Sequence, residues 1–582
     1  LCKKISKKER IGKTVIAVIM LLSFSFNIPN YIWHGLHFPN SLPCRESFLY
    51  IFLIVTMGYE AFTHIKEFKP AHIIGSAGVS VGLILLFEEI FKSSELFTDL
   101  DISTNMTQIA YLSILFIGAY LVIFFCFRKY RDMKAFFTYL LVLLVFCELT
   151  LNMTVTSIPS TSSRSGYYEA TEAYDKLNEV AKSDAKKDNY NFFRTEGEYH
   201  ATRNDGARFG YNSISTFSSV ASAAMQDYYD EIGLQTSFNA YSYYGHTPLT
   251  AALSAVKYEY TTGNPTLPNY MTLLSQQSYK TVNGQSSLKL YKYNQTLPLG
   301  FMMNLNTEAS WKKNTGNPFA TQNNFIKSAV NDGKNIFHQL TSSEVGKFSA
   351  EYSLEKGDKF TPSIDEKTMD VYFFCVTSSE TATVTDGSIM ENQNGTQTST
   401  TTKTFSSTNQ NYICHLGNVT PGSKITITAS DNQAISSCYA YAFDNDAWSY
   451  DYELLNANPY TVSEYSDTKI TGTVTSAEQG IMYTSIPYDK GWSVYVDGIE
   501  SAITPICDGA QIGVLVDSGT HEVTFKYKPQ GLGSGILISI LSLLVFLGLT
   551  FKDKILAKFS KGTVKKVQVA KPVKISDESN NE

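Results

Sequence analysis

At 582 residues the chain is too long for one domain and has ample length to bury a large core. Its formal charge of -6 averages an apolar part with basic loops and a long polar part, so charge is read by region. Eight cysteines without any C-x-x-C spacing exclude a paired-cysteine zinc site and a thioredoxin-like motif.

In chain order, apolar runs fall at 11–26, 47–62, 71–91, 108–127, 135–152 and 535–551. Each is close to the roughly 20 residues needed to cross a bilayer as a helix. Basic residues fill alternate connections: Lys3 to Lys13 before the first run, Lys66 and Lys69 after the second, and Arg128 to Lys134 after the fourth. A lysine-rich tail, 552–582, follows the last run, whereas the other short connections carry only Arg45 and Lys92. The positive-inside rule then predicts both termini in the cytoplasm and one large extracellular region from Met153 to about Ser534.

Within that region the pattern predicts helices at 168–187, 215–232, 248–254 and 323–330, with a strand at 256–261. From Asp370 onward it turns to short strands: 370–376, 412–416, 424–429, 437–443, 469–475 and 480–487. The Asn/Thr/Ser/Gln-rich stretch 390–410 reads as an exposed loop. Farther on, Trp492, Val494 and Val496 share a strand face, as do His521, Val523, Phe525 and Tyr527, and Asp497-Gly498 reads as a hairpin turn. The expected fold is a mixed membrane protein, an α-helical bundle with a large extracellular α+β region ending in β-sandwich-like modules. Its expected parts are a bundle at 1–152, a mixed α/β region at 153–365 and a β-rich module at 366–464. A sandwich-like module at 465–534, a membrane helix at 535–551 and a basic cytoplasmic tail complete it. If the polar region is exported, Cys375, Cys414, Cys438 and Cys507 can form up to two disulfides; packed thiols are the alternative.

The residues closest to chemistry lie at the outer mouths of the predicted helices. Arg45 precedes the second helix at headgroup level, where a guanidinium grips a phosphate with two parallel hydrogen bonds. The plainer role is an interfacial anchor or an ion pair with Glu46. His34 and His37 share this loop, and Glu46, Glu88, Glu89 and Glu148 come to the same side, so these residues are candidates to line one polar pocket. Their plainer reading is solvated helix ends. Glu60 lies at the opposite end of its helix, in a structural role. Arg194-Thr195-Glu196 and Asp205 read as surface loop residues engaged in salt bridges. No metal site and no nucleophile motif stands out, and the basic tail needs anionic lipid rather than nucleic acid as its partner.

The strand pair Gly491-Trp492-Ser493-Val494-Tyr495-Val496-Asp497-Gly498, the later Gly519 to Tyr527 strand and the terminal apolar helix together resemble the bacterial YfhO-like membrane proteins. Trp33-His34-Gly35, Pro39-Asn40, Leu42-Pro43 and Arg45 are similar to a mid-protein loop of that family, and Phe193 to Glu196 and Ser215 to Ser218 also match it. The resemblance implies a multi-pass GT-C-type glycosyltransferase of the bacterial cell membrane. Such a protein moves sugar from a polyprenyl-phosphate carrier to a cell-envelope polymer of the lipoteichoic-acid type on the outer face. It implies no cofactor beyond that carrier, with Arg45 as the residue holding the lipid phosphate. It also implies more membrane helices before Leu1, carrying the catalytic acid, so the catalytic residue is unassigned here. The alternative function is a membrane-anchored extracellular glycan-binding or envelope-assembly protein without catalysis. Neither the donor sugar nor the acceptor can be read from the sequence.

Overall fold

The computed structural model describes residues 5–37, 44–93, 103–130, 132–156, 164–346, 349–354, 368–393, 396–429, 435 and 437–554. Contacts divide the chain into two compact units, 1–163 and 164–582.

The first unit is helical: α1 Lys7–Ser23, α2 Asn27–Trp33, α3 Ser47–Thr63, α4 Pro70–Ser93, α5 Ser103–Lys129 and α6 Lys134–Thr156. Spans long and apolar enough to cross a membrane lie in α4, α5 and α6, and α3 is a shorter apolar helix of 17 residues. The sequence leads one to expect a continuous first helix over 11–26. Instead the chain breaks after Ser23 and turns by 105° into α2. Phe26 is extended at the break, and Pro29 in the first turn of α2 lacks an N–H, which fits a helix start but not its interior. α1 packs on α2 and α3, and α5 packs between α4 and α6. Large apolar side chains such as Leu115, Val142 and Phe146 point outward along these helices, as they do where lipid is the solvent.

Polar contacts fasten the unit where the basic residues lie. Lys13 on α1 bridges Glu9, at 2.8 Å, and Glu60 on α3, at 2.7 Å. The Arg128 guanidinium at the end of α5 donates to the backbone carbonyls of Ile65 and Phe68 in the α3–α4 connection. These bonds tie the end of α5 to the α3–α4 connection.

The second unit opens with a short helix, Arg164–Tyr168, then helix Thr171–Lys187, whose buried face (Ala173, Leu177, Ala181, Ala185) covers a four-stranded sheet. That sheet runs Arg194–Gly197, Val256–Thr261, Gly284–Tyr293, Met271–Thr281, and its first pair is parallel. Two sheets follow as a sandwich. One holds five strands, among them Lys424–Ala429 and Thr402–Gln410; the other holds six, among them Met369–Cys375, Cys414–Val419 and Cys438–Phe443. Their facing side chains Val371, Phe373, Ala382, Leu416, Ile425 and Ile427 form one core. The stretch expected as a loop at 390–410 instead contributes strands Ile389–Gln393, Thr396–Thr400 and Thr402–Gln410. Its threonines are β-branched and suit an extended edge despite their polarity.

A second sandwich closes the unit. Its five-stranded sheet carries Thr461–Ser466, Lys469–Ser476, Gly519–Tyr527, Trp492–Val496 and Ile499–Ser501. Its four-stranded partner includes Gly480–Pro487 and a strand from far upstream, Gly300–Met303. Val494, Val523 and Phe525 are fully buried between the sheets, on the faces that the alternation predicts. Asp497 and Gly498 have φ of 50° and 80°, and Val496 pairs with Ile499, a two-residue hairpin with both central residues left-handed. Helix Leu532–Thr550 follows with no residue buried, apolar and long enough to cross a membrane.

Candidate functional site

In the first unit the candidate residues separate into two groups. α2 is capped by His34, whose Nδ1 lies 2.7 Å from the Asn30 carbonyl, leaving Nε2 turned toward Glu46 at 3.9 Å. Glu46 is the residue just before α3 and is 6% exposed; both its carboxylate oxygens are buried without a hydrogen-bond partner among the described residues. Next to it, Arg45 is exposed. The bend that builds this corner is held by Trp33 Nε1, which donates to Ser23 Oγ at 3.0 Å, and by Ser23 Oγ, which donates to the Ile19 carbonyl. A buried carboxylate, an imidazole and an exposed guanidinium thus sit around the start of one apolar helix. His37 is exposed in the same connection.

The other acidic candidates lie on the α4–α6 side. Glu88 accepts a hydrogen bond from Thr107 Oγ1 of α5 at 3.1 Å, while Glu89 beside it is exposed. Glu148 of α6 accepts from the Tyr120 hydroxyl of α5. Among the described residues, no hydrogen bond or ion pair joins Glu46 to Glu88, Glu89 or Glu148.

The second unit departs from expectation at Arg194-Thr195-Glu196 and Asp205, read from sequence as surface residues. Arg194–Gly197 is a fully buried strand. Glu196 accepts from Ser213 Oγ, Ile214 N and Ser215 N on one oxygen, and from Ser215 Oγ on the other. Asp205 accepts from the N–H groups of Ala201 and Thr202. A carboxylate so supplied with donors organises a loop rather than a reaction.

That organised loop borders a cleft of about 570 Å³ within the unit, between the mixed sheet and the first sandwich. Glu198, Tyr244 and His246 line one wall; Lys403, Tyr412 and His415 line the other. His246 stacks on Tyr243 with centroids 4.0 Å apart, and burial pushes its pKa down to about 3. Behind it Glu259, fully buried 3.5 Å from His246 Nε2, is held well above the usual carboxylate range by the same desolvation. Burial also raises Glu198, whose Oε1 accepts from Thr266 Oγ1 at 2.6 Å while Oε2 is buried without a hydrogen-bond partner among the described residues. His415 is fixed on both sides, by the Thr266 carbonyl at 2.7 Å and by Asp370 at 2.5 Å. This cleft is not legible in the sequence because its residues come from several separate stretches, 197–199, 243–246, 264–268 and 390–418 among them, with no shared motif. The tyrosine-rich run Tyr241 to Tyr244 was its one local sign.

A family model described as "Bacterial membrane protein YfhO" matches residues 1–539. No curated protein matches the chain. Among solved structures, a quercetin 2,3-dioxygenase from Acinetobacter baumannii covers 33% of this chain and 78% of its own, at 9% identity and a TM-score of 0.10. Vicilin from tomato covers 31% and 71%, at 9% identity and 0.09. A cupin 2 conserved barrel domain protein from Leptotrichia buccalis covers 32% and 88%, at 8% identity and 0.08. Superpositions this poor carry no argument about fold or function.

Proposed function

Because the chain belongs to the YfhO family of bacterial membrane proteins, we propose that it serves a GT-C-type glycosyl transfer at the outer face of the cell membrane. The donor is a sugar on a polyprenyl-phosphate carrier and the acceptor is a cell-envelope polymer of the lipoteichoic-acid type. Both ends of the chain lie in the cytoplasm, and the region from Met153 to about Ser534 is extracellular. The alternation of basic connections supports that orientation.

The observation that carries the reading is the corner at the start of α3. Arg45 is exposed next to a buried carboxylate, Glu46, which faces His34 and has no hydrogen-bond partner among the described residues. In the transfer an acceptor hydroxyl attacks the anomeric carbon, the bond from that carbon to the phosphate oxygen breaks, and the hydroxyl proton passes to a base. Negative charge grows on the departing lipid phosphate, and a guanidinium donating two parallel hydrogen bonds stabilises it. The N–H groups at the start of α3 add a positive partial charge at the same place. Glu46 and His34 are the groups beside Arg45 able to take up a proton.

A strain carrying Arg45→Ala, with protein level matched to wild type, tests the reading. The sugar content of the envelope polymer falls to that of the gene deletion. Unchanged decoration in both strains contradicts transfer. It favours the second reading, a glycan-binding or envelope-assembly protein without catalysis, which the tyrosine-lined cleft of the second unit supports.

A further inference from the structure

We propose that the cleft between the mixed sheet and the first sandwich of the second unit is an oligosaccharide-binding site, with Tyr199, Tyr244 and Tyr412 as its sugar-stacking surfaces. This deepens the reading above, on which it rests for the placement of this region among envelope glycans. It gives recognition of uncharged envelope glycans by this region a location and a chemistry.

Size comes first. A space of about 570 Å³ falls in the range of small-molecule sites, roughly 300–1,000 Å³. The lining is of mixed character, which argues against a lipid or an apolar peptide. Aromatic faces alternate with the amides of Asn264 and Asn418 and the carboxylate of Glu198.

The rings are arranged for a flat, amphipathic ligand. Tyr244 and Tyr412 lie with centroids 6.3 Å apart and planes 28° apart, one from each wall. The Tyr244 hydroxyl is engaged as acceptor for the His200 N–H at 3.1 Å, which fixes that ring. Tyr199 at the rim is 65% exposed, so its ring face is open to a ligand. Sugar rings present C–H faces to such aromatics and hydroxyls to their edges, matching an apolar body with a polar rim.

The polar groups select against a polyanion. Glu198 offers a buried carboxylate oxygen that has no donor among the described residues. Such an oxygen accepts a hydroxyl hydrogen bond and repels phosphate. Lys403, the cation of the lining, is directed at the carbonyls of His415 and Leu416, at 3.4 and 3.3 Å. The carboxylate of Asp370 behind the wall is already occupied by His415 and by the hydroxyls of Tyr270 and Tyr372. What the cleft can still satisfy is a hydroxyl-rich, uncharged chain. Gly245 keeps the two walls in register. Its φ is +89°, and an added Cβ would stand 2.4 Å from the Gly233 carbonyl oxygen and 2.8 Å from Tyr412 Cβ.

The test is saturation-transfer NMR on the full chain in lipid nanodiscs, with maltotriose, chitotriose and a linear poly(glycerol phosphate) chain as probes. Saturable transfer from at least one trisaccharide is expected. Tyr199→Ala, a rim change that leaves the core untouched, weakens it about tenfold, the loss of one stacking contact. Glu198→Gln weakens it as well, while Phe238→Ala, an exposed aromatic change outside the lining, leaves it unaltered. No trisaccharide binding, binding equal in wild type and Tyr199→Ala, or salt-sensitive binding of the phosphate polymer alone overturns the site. Failure of the site and failure of the transferase reading are separable. Loss of envelope sugar on gene deletion without trisaccharide binding defeats only the site. Binding with intact decoration in the deletion strain defeats only the transfer.

Discussion

Arg194 and Ser485, 291 residues apart in sequence, are joined by two hydrogen bonds, from Nη1 to the serine hydroxyl oxygen at 2.7 Å and from Nη2 to its carbonyl at 2.9 Å. Nη1 also donates to the Ser254 carbonyl at 2.7 Å, and the guanidinium lies over the Phe192 ring. One side chain therefore ties the first strand of the mixed sheet to the last sandwich. Full burial lowers its pKa from the usual arginine value, so the charge is kept in place by these acceptors. Replacing Arg194 by Met leaves two buried carbonyls without donors and should destabilise the unit by about 3 kcal/mol. Lysine should rescue only part of this, since one ammonium cannot reproduce the fork. Urea unfolding followed by tryptophan fluorescence measures both.

Asp451 gives the unit a pH dependence of definite sign. Its carboxylate is inaccessible to solvent and accepts the Lys334 N–H on both oxygens, and desolvation pushes its pKa from 3.8 to about 6. Between those values the unfolded chain has released the proton that the folded chain retains. The unfolded state then binds fewer protons, so this group's contribution to stability falls as pH rises through the window. Relative to Asp451→Asn, wild type should lose on the order of 2 kcal/mol between pH 4 and 6 and stay level above. Urea midpoints of both proteins across that range check the slope.

Cys375 and Cys438 stand directly opposite each other in adjacent antiparallel strands, buried and not joined by a disulfide. Opposed residues in such a pair have Cα atoms about 4.5–5.5 Å apart, inside the range a disulfide accepts. Diamide should therefore oxidise the two thiols to one disulfide, detected as a linked tryptic peptide. By loop-closure entropy the bond should add up to about 4 kcal/mol. Cys507, buried with its pKa raised well above the usual thiol value, should remain a thiol.

In the helical unit, Lys13 and Glu60 form an ion pair joining α1 to α3. Lys13→Glu should lower the thermal midpoint in detergent by setting two like charges together. The double variant Lys13→Glu, Glu60→Lys should recover most of the loss. Equal midpoints in wild type and single variant would show the pair to be neutral.

How much of this was legible in the sequence depended on how local the signal is. Strands Val256–Thr261 and Gly480–Pro487 lie at their expected bounds because β-branched and aromatic residues there are bracketed by turn formers. The hairpin Met271–Tyr293 escaped, although Asn283-Gly284 marks its turn, because its polar alternation has one weakly apolar face. Arg194 and Glu196 looked like surface charges because charge predicts exposure until the partners are known, and theirs are up to 291 residues away. Strand Gly300–Met303 gives no local hint that it completes a sheet with residues beyond 480. Arg45 was legible as a candidate from its place ahead of an apolar run. The bend that sets His34 against Glu46 was not, since it depends on Trp33 reaching back to Ser23.

The most direct test of the central claim is binding of a short-chain polyprenyl phosphate to the protein in nanodiscs of zwitterionic lipid, read by isothermal titration. Wild type should show saturable binding, weakened at least about tenfold in Arg45→Ala and partly kept in Arg45→Lys, as the loss of a charge-assisted pair requires. Arg128→Ala should retain wild-type affinity, because that guanidinium is committed to the Ile65 and Phe68 carbonyls. No saturable binding to wild type, or equal binding by wild type and Arg45→Ala, would contradict the assignment of Arg45 to the lipid phosphate.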